Sequence, residues 1–573
     1  MKKIFIILLV FSTIVVKSQS APILIDGRFT DWTTDLATFT DVTESISGID
    51  ILQMQVSNDD NNLYIKITLD TEIDLTTNLV SQGLMLFIDA DNDPSTGYPI
   101  QTGYGTELGV KFKDRFAYYN VEPFSEVSFA AIELVPLPTV TSNIFEIAIA
   151  RDAVPDGVNP LFTSSSIRIL FKDTSSNDSM PDDGQIFYYT FDETPVAPVE
   201  LIEINKQNPE SIRVVAYNTL FNGLEDVGRL PYFKNIITSL APDIIGFSEC
   251  GDANPYDIKD LLDQWLPLGT GHGWYVANDL TGDLITLSKW EIIQNWKTLY
   301  RQFPVLIDLP ESYHTDLLFT NSHLRCCGAN NERQEQVDDY VSFMIDAKSP
   351  GGEITLTENT PFIYAGDLNL VGYKQQLTTL LTGDIVNTET YGTGENYDWD
   401  DSEVTDQICR QTEQRMAYTW KDDTSSFPDG RLDFMIYSDA VMRVQNSFTL
   451  QTETMPNARL TQYGLSQYAT SNASDHFPVI CDFLPNAGLS IANKNNGITT
   501  IYPNPVEQML YINSNNEKDY LITIYNTNGN IFFSQRITFD TKQIDVSNLR
   551  EGVYFLSLTD TSKNKKWLKF IKI

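Results

Sequence analysis

The sequence predicts a multidomain protein, with a β-sandwich at the N-terminal end, an α/β domain in the centre and a small β-sandwich at the C-terminal end. Short runs of alternating apolar and polar residues fill the first third of the chain. From about residue 211, apolar strands alternate with amphipathic helices, as in an α/β domain. The strand pattern returns from about residue 501. A chain of 573 residues is also too long for one ordinary domain.

Composition and charge restrict the function before any motif is considered. Hydrophobic residues make up 42% of the chain and aromatic residues 12%, as in a well-packed globular protein. The 77 acidic residues outnumber the 39 basic ones, which gives a net charge of −38. Such a field repels polyanions and disfavours non-specific binding to nucleic acid or anionic membrane. It does not exclude a nuclease whose cleft is neutralised locally by a metal ion.

The N-terminus has the build of a signal peptide, predicted over residues 1–20. Met1-Lys2-Lys3 precede an apolar run over 4–16, and small residues precede Ala21 at the cleavage position. A membrane anchor is disfavoured, because roughly 13 apolar residues fall short of the about 20 that span a bilayer. We therefore expect a secreted protein, extracellular or at the cell surface. Five cysteines in such a chain predict at most one or two disulfides.

Residues 21–195 are predicted to form the N-terminal β-sandwich. Leu52, Met54 and Val56 alternate with polar residues, and the run over 63–69 does the same after an Asp- and Asn-rich turn. The opening of this domain, Ile25-Asp26-Gly27 followed by Asp31-Trp32, resembles the start of sugar- or haem-binding sandwich modules that lie beside bacterial catalytic domains. This resemblance implies an accessory role.

An acidic loop at 89–97 lies within this domain. Asp89, Asp91 and Asp93 occupy alternate positions, which would let their oxygens surround a Ca²⁺ ion. The loop lacks the glycine and glutamate that an EF-hand requires at its sixth and twelfth positions. Because Asp, Asn, Pro and Gly commonly build turns, a solvated turn is the favoured interpretation and a calcium site is the alternative.

In the central domain, predicted over 205–485, polar residues follow or precede apolar strands. Open α/β sheets place their sites at such strand ends. Each of these residues alone would usually cap a helix or shape a turn. Their recurrence within one domain instead favours a metal-assisted hydrolase. The residues concerned are Asn218, Glu249, His323, Asp367, Asn369, Asp433, Asp475 and His476.

These pieces resemble, in order and rough spacing, the motifs of the endonuclease/exonuclease/phosphatase superfamily, which includes deoxyribonuclease-like nucleases, neutral sphingomyelinases and inositol polyphosphate phosphatases. The resemblance covers about 211–485 and implies a four-layer sandwich of two β-sheets flanked by helices. The matching pieces are Tyr217-Asn218, Pro242-Asp243-Ile244-Ile245 through Glu249, Asn321-Ser322-His323-Leu324, Gly366-Asp367-Leu368-Asn369, Arg431-Leu432-Asp433 and Ser474-Asp475-His476-Phe477-Pro478-Val479.

The resemblance also implies roles for the residues. Glu249 would be the main ligand of a Mg²⁺ or Mn²⁺ ion, assisted by Asp475 and Asn218. Asp367 and Asn369 would position the attacking water and a phosphate oxygen. His476, oriented by Asp433, would act with His323 on protons or on the charge of the transition state. Oxygen ligands suit Mg²⁺, which binds proteins through one or two carboxylates and keeps several waters.

We therefore expect a secreted, metal-dependent phosphodiesterase. A nuclease is the first interpretation, because Arg431-Leu432-Asp433 together with Ser474-Asp475-His476 is the nuclease-like pairing. A sphingomyelinase-like or phosphatase-like hydrolase of lipid or small phosphate esters is the alternative, since the chain is acidic and has no basic stripe with interleaved aromatic residues. A catalytically inactive surface binding or adhesion protein is the second alternative.

The C-terminal β domain is predicted over 498–573, after an Asn- and Gly-rich linker. Its sequence resembles the C-terminal sorting domain of type IX secretion cargo, which implies export across the outer membrane by the type IX machinery. The alternative is an immunoglobulin-like adhesion module. The resemblance is carried by Tyr502-Pro503-Asn504-Pro505, Ile524-Tyr525-Asn526-Thr527-Asn528-Gly529, Leu549-Arg550-Glu551-Gly552-Val553-Tyr554-Phe555 and a Lys-rich end.

Overall fold

The structure is a computed structural model of the chain. It describes residues 19–41, 43, 48–77, 83–120, 125–251, 253–349, 351–352, 354–485, 500–513, 520–526, 531–537, 543–560 and 565–573. The predicted signal peptide up to residue 18, the linker at 486–499 and part of the tail motif at 527–529 lie outside these ranges. The chain divides into two compact units, Met1–Ala487 and Gly488–Ile573. Across the residues described, no helix has the length and apolar character needed to cross a membrane.

The described chain is mostly β-structure spread over several sheets, in agreement with the predicted multidomain, β-rich organisation. The N-terminal strands are β1 (Ala37–Thr40), β2 (Ile51–Asn58), β3 (Asn62–Ile73), β4 (Leu84–Asp89), β5 (Tyr98–Gln101), β6 (Tyr104–Thr106), β7 (Leu108–Lys111), β8 (Phe116–Tyr119), β9 (Ser125–Val127), β10 (Val135–Leu137), β11 (Ser142–Ala150), β12 (Ser166–Asp173), β13 (Ser179–Met180) and β14 (Tyr188–Thr190).

These strands form two main antiparallel sheets that share one hydrophobic core. The first has the order β1-β2-β3-β11-β10, and the second has the order β13-β12-β4-β7-β8-β9, with β14 also paired to β12. The alternating residues of β2 and β3, such as Met54 and Ile65, are fully buried against Leu86 and Ile169 of the second sheet. The period of two in the sequence therefore selects the face of each strand that enters the core.

The central elements begin at residue 212. They are β15 (Ile212–Asn218), α1 (Leu230–Leu240), β16 (Ile244–Ser248), α2 (Pro255–Trp265), β17 (Tyr275–Asn278), β18 (Ile285–Ser288), β19 (Ile292–Asn295), β20 (Gln302–Ile307), β21 (Leu317–His323), α3 (Asn330–Lys348), β22 (Phe362–Asp367), α4 (Gln375–Thr382), α5 (Thr388–Tyr391), β23 (Thr405–Asp406), β24 (Asp433–Tyr437), β25 (Met442–Thr449), α6 (Asn457–Tyr463), α7 (Ala469–Ala473) and β26 (Val479–Pro485).

Two six-stranded mixed sheets organise this region, in the orders β17-β18-β16-β15-β26-β25 and β19-β20-β21-β22-β24-β23. Inward residues of both sheets, such as Val214 and Phe319, share one buried cluster. The other face of the first sheet packs on α1, α2, α6 and α7. The other face of the second sheet packs on α3 and α4. The strands are apolar on both faces because helices cover their outer sides.

The opening motif of the N-terminal region attaches this region to the rest of the unit. The backbone N–H groups of Asp26 and Gly27 each donate to the Glu146 carboxylate at 2.6 Å, and Trp32 Nε1 donates to it at 2.9 Å. Ile25 forms a parallel bridge with Met416 of the central region, and both residues belong to one hydrophobic cluster. The short motif is therefore explained by packing and hydrogen bonding.

The five cysteines are free thiols. The Sγ atoms of Cys409 and Cys481 are 3.5 Å apart in the core, whereas Cys326 and Cys327 are exposed.

The C-terminal unit has its own small core. Its strands are β27 (Thr500–Tyr502), β28 (Met509–Asn513), β29 (Tyr520–Asn526), β30 (Ile531–Ile537), β31 (Gln543–Asp545), β32 (Gly552–Asp560) and β33 (Lys565–Lys572). They form one sheet with the order β27-β28-β31 and another with the order β30-β29-β32-β33. Leu510 of the first sheet and Ile524 and Leu556 of the second are buried in one cluster.

Candidate active site

The predicted site residues meet at one edge of the two central sheets. In the first sheet, β15 ends at Asn218, which lies beside Ser248, the residue before Glu249, in parallel register. In the second sheet, His323 at the end of β21 pairs with Asp367 at the end of β22, and Asp367 pairs in turn with Asp433 at the start of β24. Asp475 and His476 lie just before β26. Because strand ends converge at a sheet edge, residues far apart in sequence become neighbours.

Asn218 connects the carboxylates of the two sheets. Its Nδ2 donates to Glu249 Oε1 and to Asp367 Oδ2, both at 3.0 Å. Its Oδ1 accepts the backbone N–H of Leu220 at 2.9 Å. In this arrangement Asn218 holds two acidic side chains close together, and its role as a metal ligand stays a prediction.

Two histidine–aspartate pairs flank Asp367. His476 Nδ1 donates to Asp433 Oδ2 at 2.8 Å, and His323 Nδ1 is 2.7 Å from Asp283 Oδ2. The opposite nitrogen, Nε2, of each histidine is 3.7 Å from Asp367 Oδ2. In each pair the aspartate fixes the ring and aims Nε2 at the same carboxylate.

Burial and neighbouring charge shift the pKa values of these groups. Burial raises the pKa of Asp367, with the two histidines acting against it. Burial opposes the charged form of His476, but the carboxylates of Asp433 and Asp367 outweigh that effect and raise its pKa to about 10. Burial also opposes ionisation of Asp283, yet the hydrogen bond and charge of His323 and the charge of Arg301 leave its pKa lowered. The Asp433–His476 pair thus favours imidazolium next to carboxylate.

Hydrogen bonds fix the remaining predicted residues. Asp475 Oδ2 accepts Trp420 Nε1 at 2.9 Å, and Glu249 Oε2 accepts the N–H of Phe221 at 2.9 Å. The backbone N–H of Asn369 donates to Asp367 Oδ1 at 3.0 Å, while its Nδ2 donates to Asp367 Oδ2 at 3.1 Å. Each carboxylate therefore has at least one neutral donor that limits its rotation.

The backbone is left-handed at two of these positions, with φ of 56° at Glu249 and 49° at Asn369. Left-handed φ costs free energy for a residue with a Cβ and is retained mainly where the surrounding structure requires it. The side chains of both residues line the cavity described next.

A cavity of about 290 Å³ opens over this cluster. Glu249, Asp367, Asn369, Asp475 and His476 all line it, whereas Asn218, His323 and Asp433 are not among its lining residues. Oxygen or nitrogen atoms of Glu249, His323 and Asp367 lie within 4.8 Å of one another, as do those of Asp367, Asp433 and His476. Carboxylates around an open cavity of this size fit a hard cation such as Mg²⁺, which keeps several of its waters.

Sequence reasoning missed three contributors to this cluster. Asp283 lies in a Thr-Gly-Asp turn and carried no strand-end signal. Thr419 Oγ1 donates to Asp433 Oδ2 at 2.7 Å and accepts the N–H of Asp433. Trp420, the partner of Asp475, follows it. Thr419 and Trp420 lie outside every named strand, so a pattern based on strand ends could not find them.

The acidic loop of the N-terminal region is arranged differently from the prediction. Single oxygens of Asp89 and Asp91 come within 4.8 Å of one another and of an oxygen of Glu107, a residue that the sequence pattern did not indicate. Asp93 Oδ1 instead accepts the N–H of Ser95 at 2.9 Å and its hydroxyl at 2.6 Å. Asp93 therefore shapes the turn, while Glu107 joins the other two carboxylates.

Residues 500–573 match the family model of the secretion system C-terminal sorting domain. This match confirms the resemblance of the tail to a secretion sorting domain, and it indicates a protein exported by that route. The comparison with curated proteins gives no match for the chain.

Solved structures similar to the chain include an endonuclease/exonuclease/phosphatase protein from Beutenbergia cavernae DSM 12333, which is 14% identical, with 63% of this chain and 100% of that chain covered and a TM-score of 0.31. Sphingomyelinase C from Streptomyces griseocarneus is 14% identical, with coverage of 48% and 99% and a TM-score of 0.28. AP endonuclease LMAP from Leishmania major is 13% identical, with coverage of 50% and 92% and a TM-score of 0.28. The site geometry, rather than these likenesses, carries the functional proposal.

Proposed function

We propose that this chain is an exported, divalent-metal-dependent phosphodiesterase. One observation carries the proposal: two histidine–aspartate pairs aim their Nε2 atoms at Asp367, which Asn218 links to Glu249 in the wall of an open cavity. Hydrolysis of a phosphate ester requires neutralisation of charge on the phosphate oxygens, an activated water and stabilisation of the leaving oxygen. The cluster offers groups suited to each task.

Glu249 and Asp475 would hold the Mg²⁺ or Mn²⁺ ion, with Asn218 close by. Both carboxylates line the cavity, which has room for waters that Mg²⁺ retains. When bound, such an ion neutralises phosphate oxygens and acidifies water.

The protein's own groups would position the reactants and handle protons. Asp367, fixed by the amide groups of Asn218 and Asn369, would orient the attacking water. His476 Nε2 faces the cavity side of the cluster and would donate to a phosphate oxygen, while Asp433 holds its opposite nitrogen. His323, fixed by Asp283, would serve as a second donor.

We propose residues 205–485 as the catalytic domain, with 21–195 as the flanking sandwich and 498–573 as the sorting domain. Two sheets pack against each other, and helices cover the outer face of each sheet, with a buried cluster at each of the three interfaces. This order of layers supports the four-layer architecture of the endonuclease/exonuclease/phosphatase superfamily. The matched tail and the signal-peptide pattern support secretion through the type IX machinery.

Hydrolysis of lipid or small phosphate esters is a second candidate beside nuclease activity. Arg431, part of the nuclease-like pairing, is buried, forms an ion pair with Asp406 and stacks on Phe434 at 4.1 Å. It is therefore committed to the fold and is not available to the phosphates of a nucleic acid.

The test is an assay of plasmid DNA, sphingomyelin and bis(4-nitrophenyl) phosphate with MgCl2, repeated with a chelator. We expect turnover of at least one substrate, its loss with the chelator, and its loss in Glu249→Ala and His476→Ala variants that keep the circular dichroism of the parent. Glu225→Ala, at an exposed position, is the matched control and should retain full activity. If wild-type protein hydrolyses none of the three substrates, a binding or adhesion protein is the better description.

A further inference from the structure

We propose that the N-terminal sandwich forms one wall of the catalytic cavity, and that the site acts on phosphodiesters that carry an apolar group next to the scissile phosphate. This inference rests on the proposed function and specifies its substrate class. The wall consists of Leu75, Thr76, Pro136, Pro138 and Thr139, which line the same cavity as Glu249 and His476.

Hydrogen bonds fasten this wall beside the catalytic cluster. Thr139 Oγ1 donates to the carbonyl of Leu370 at 2.7 Å, next to Asn369. Two residues on, the N–H of Thr141 donates to the carbonyl of Gly372 at 2.9 Å. The connection between β10 and β11 and the loop after β22 therefore hold one another in place.

A second attachment fixes Phe427, whose side chain also lines the cavity. The guanidinium of Arg115, from the sandwich, lies over the Phe427 ring at 4.3 Å. Arg115 Nη1 donates to the carbonyl of Thr76 at 3.1 Å, and its Nε donates to Ser426 Oγ at 3.3 Å. One cation thus links the sandwich wall to an aromatic residue of the central region, and we assign Arg115 as a positioning residue.

The chemistry of the lining selects the substrate class. Apart from the catalytic carboxylates, Asn369 and His476, the cavity is lined mainly by leucine, proline, phenylalanine and other weakly polar side chains, and none of its described lining residues is Lys or Arg. A nucleic acid carries a charge on every neighbouring phosphate, and this lining provides no cation to balance it. An apolar substituent would instead remove wall and substrate surface from water.

The test compares the full-length enzyme with Phe427→Ala, Leu75→Asn and Arg115→Ala. Two probes report on substrate class, bis(4-nitrophenyl) phosphate and the dinucleotide thymidylyl-thymidine, and sphingomyelin in detergent micelles separates a lipid from a small soluble ester. Val158→Ala is the matched control, because that sandwich residue is 78% exposed and away from the cavity lining. Circular dichroism checks the fold of Leu75→Asn, whereas Phe427 is 39% exposed and tolerates truncation more readily.

We expect Phe427→Ala to lower kcat/KM for the aryl diester by about tenfold, mainly through KM, since about 50 Å² of apolar contact is lost. Arg115→Ala should shift KM in the same direction, with kcat nearly unchanged. The dinucleotide rate should change less than twofold. If wild type hydrolyses a diester but these variants alter all substrates equally, the inference is wrong while the proposed function stands. If wild type hydrolyses none, the proposed function itself fails.

A separate observation indicates a cation-binding site in the N-terminal sandwich. We infer that Asp89, Asp91 and Glu107 bind a calcium ion in the N-terminal sandwich. Asp89 is fully buried, and its Oδ1 has no hydrogen-bond partner. One oxygen from each of the three carboxylates lies within 4.8 Å of the others. A buried carboxylate oxygen without a hydrogen-bond partner, beside two further carboxylates, favours a bound cation.

The surrounding residues supply too little positive charge to balance the three carboxylates. Arg168 is the cation paired with Asp89, at 3.5 Å, but its Nε also donates to Asn92 Oδ1 at 2.8 Å and its Nη2 to the Asn92 carbonyl at 2.8 Å. A Cβ at Gly97, where φ is 63°, would collide with Glu107 Oε1, so this glycine leaves room for the carboxylate. An all-oxygen set in an irregular loop suits Ca²⁺.

The experiment titrates chelator-treated, full-length Glu249→Gln protein with CaCl2 and with MgCl2 by calorimetry, so that the catalytic site does not contribute. Asp89→Asn and Glu107→Gln in the same background remove a charge from the cluster. Asp93→Asn is the matched control, since Asp93 belongs to the same loop but bonds Ser95.

We expect one calcium-binding event in the parent and in Asp93→Asn, and its loss in the two cluster variants. Calcium should also raise the Tm of the parent by several degrees. Without calcium, Glu107→Gln should be at least as stable as the parent, because it removes a repulsive charge. Equal binding in all four proteins, or a preference for Mg²⁺, would overturn the assignment.

Discussion

Asp283 provides a sharp test of the site, because no sequence pattern indicates it. We expect Asp283→Ala to lower kcat for bis(4-nitrophenyl) phosphate by about 10- to 150-fold. The variant removes the 2.7 Å hydrogen bond to His323 Nδ1. A charge-assisted hydrogen bond contributes about 1.5–3 kcal/mol, and each 1.4 kcal/mol corresponds to about tenfold in rate. The prediction assumes that His323 must be held to reach the reacting phosphate.

The change should fall on kcat more than on KM, because Asp283 is not among the residues that line the cavity. Asp283→Asn keeps a hydrogen-bond acceptor without the charge, so its kcat should lie between those of wild type and Asp283→Ala. Steady-state kinetics with saturating MgCl2 provide the measurement, and Asp260→Ala, at an exposed position of α2, is the control. A kcat for Asp283→Ala within twofold of wild type would refute the assignment of His323 as an oriented donor.

Three further predictions concern stability. Burial raises the pKa of Glu146 to about 8, so the folded chain keeps a proton that the unfolded chain has lost. The free energy of unfolding should therefore fall as pH rises from about 5 to about 8. Urea titrations at several pH values should show that this free energy depends less steeply on pH in Glu146→Gln. Gly366→Ala forces a Cβ against the Ser322 carbonyl at φ of 139°, and should cost about 3 kcal/mol or more in the same assay. Arg213→Ala leaves the buried Asp482, now paired at 2.6 Å, without a cation and should cost about 3–5 kcal/mol, whereas the double variant Arg213→Met with Asp482→Leu should recover most of that loss.

The sequence alone located most of the proposed catalytic cluster. Apolar runs of strand length marked β15, β16, β21 and β22, and the polar residue at the end of each run was a site candidate. Asn218, His323 and Asp367 do lie at strand ends in the structure, in contact with one another or with Glu249. Their placement at strand ends could be predicted because the direction of a strand and the position of its end are local properties, and sheet topology brings such ends together.

Contacts that depend on how strands, turns and loops pack together were decided only by the tertiary structure. Asp283 lies in a turn with no periodic signal, and Glu107 reaches Asp89 across the end of a sheet. The cavity wall that includes Leu75, and the contact of Arg115 with Phe427, depend on how the N-terminal sandwich packs against the central region. Periodicity records which face of a strand is buried, but it does not record which surface another domain will cover. Local pattern therefore determined the strands and their ends, whereas docking determined the cavity and the partners of its charged groups.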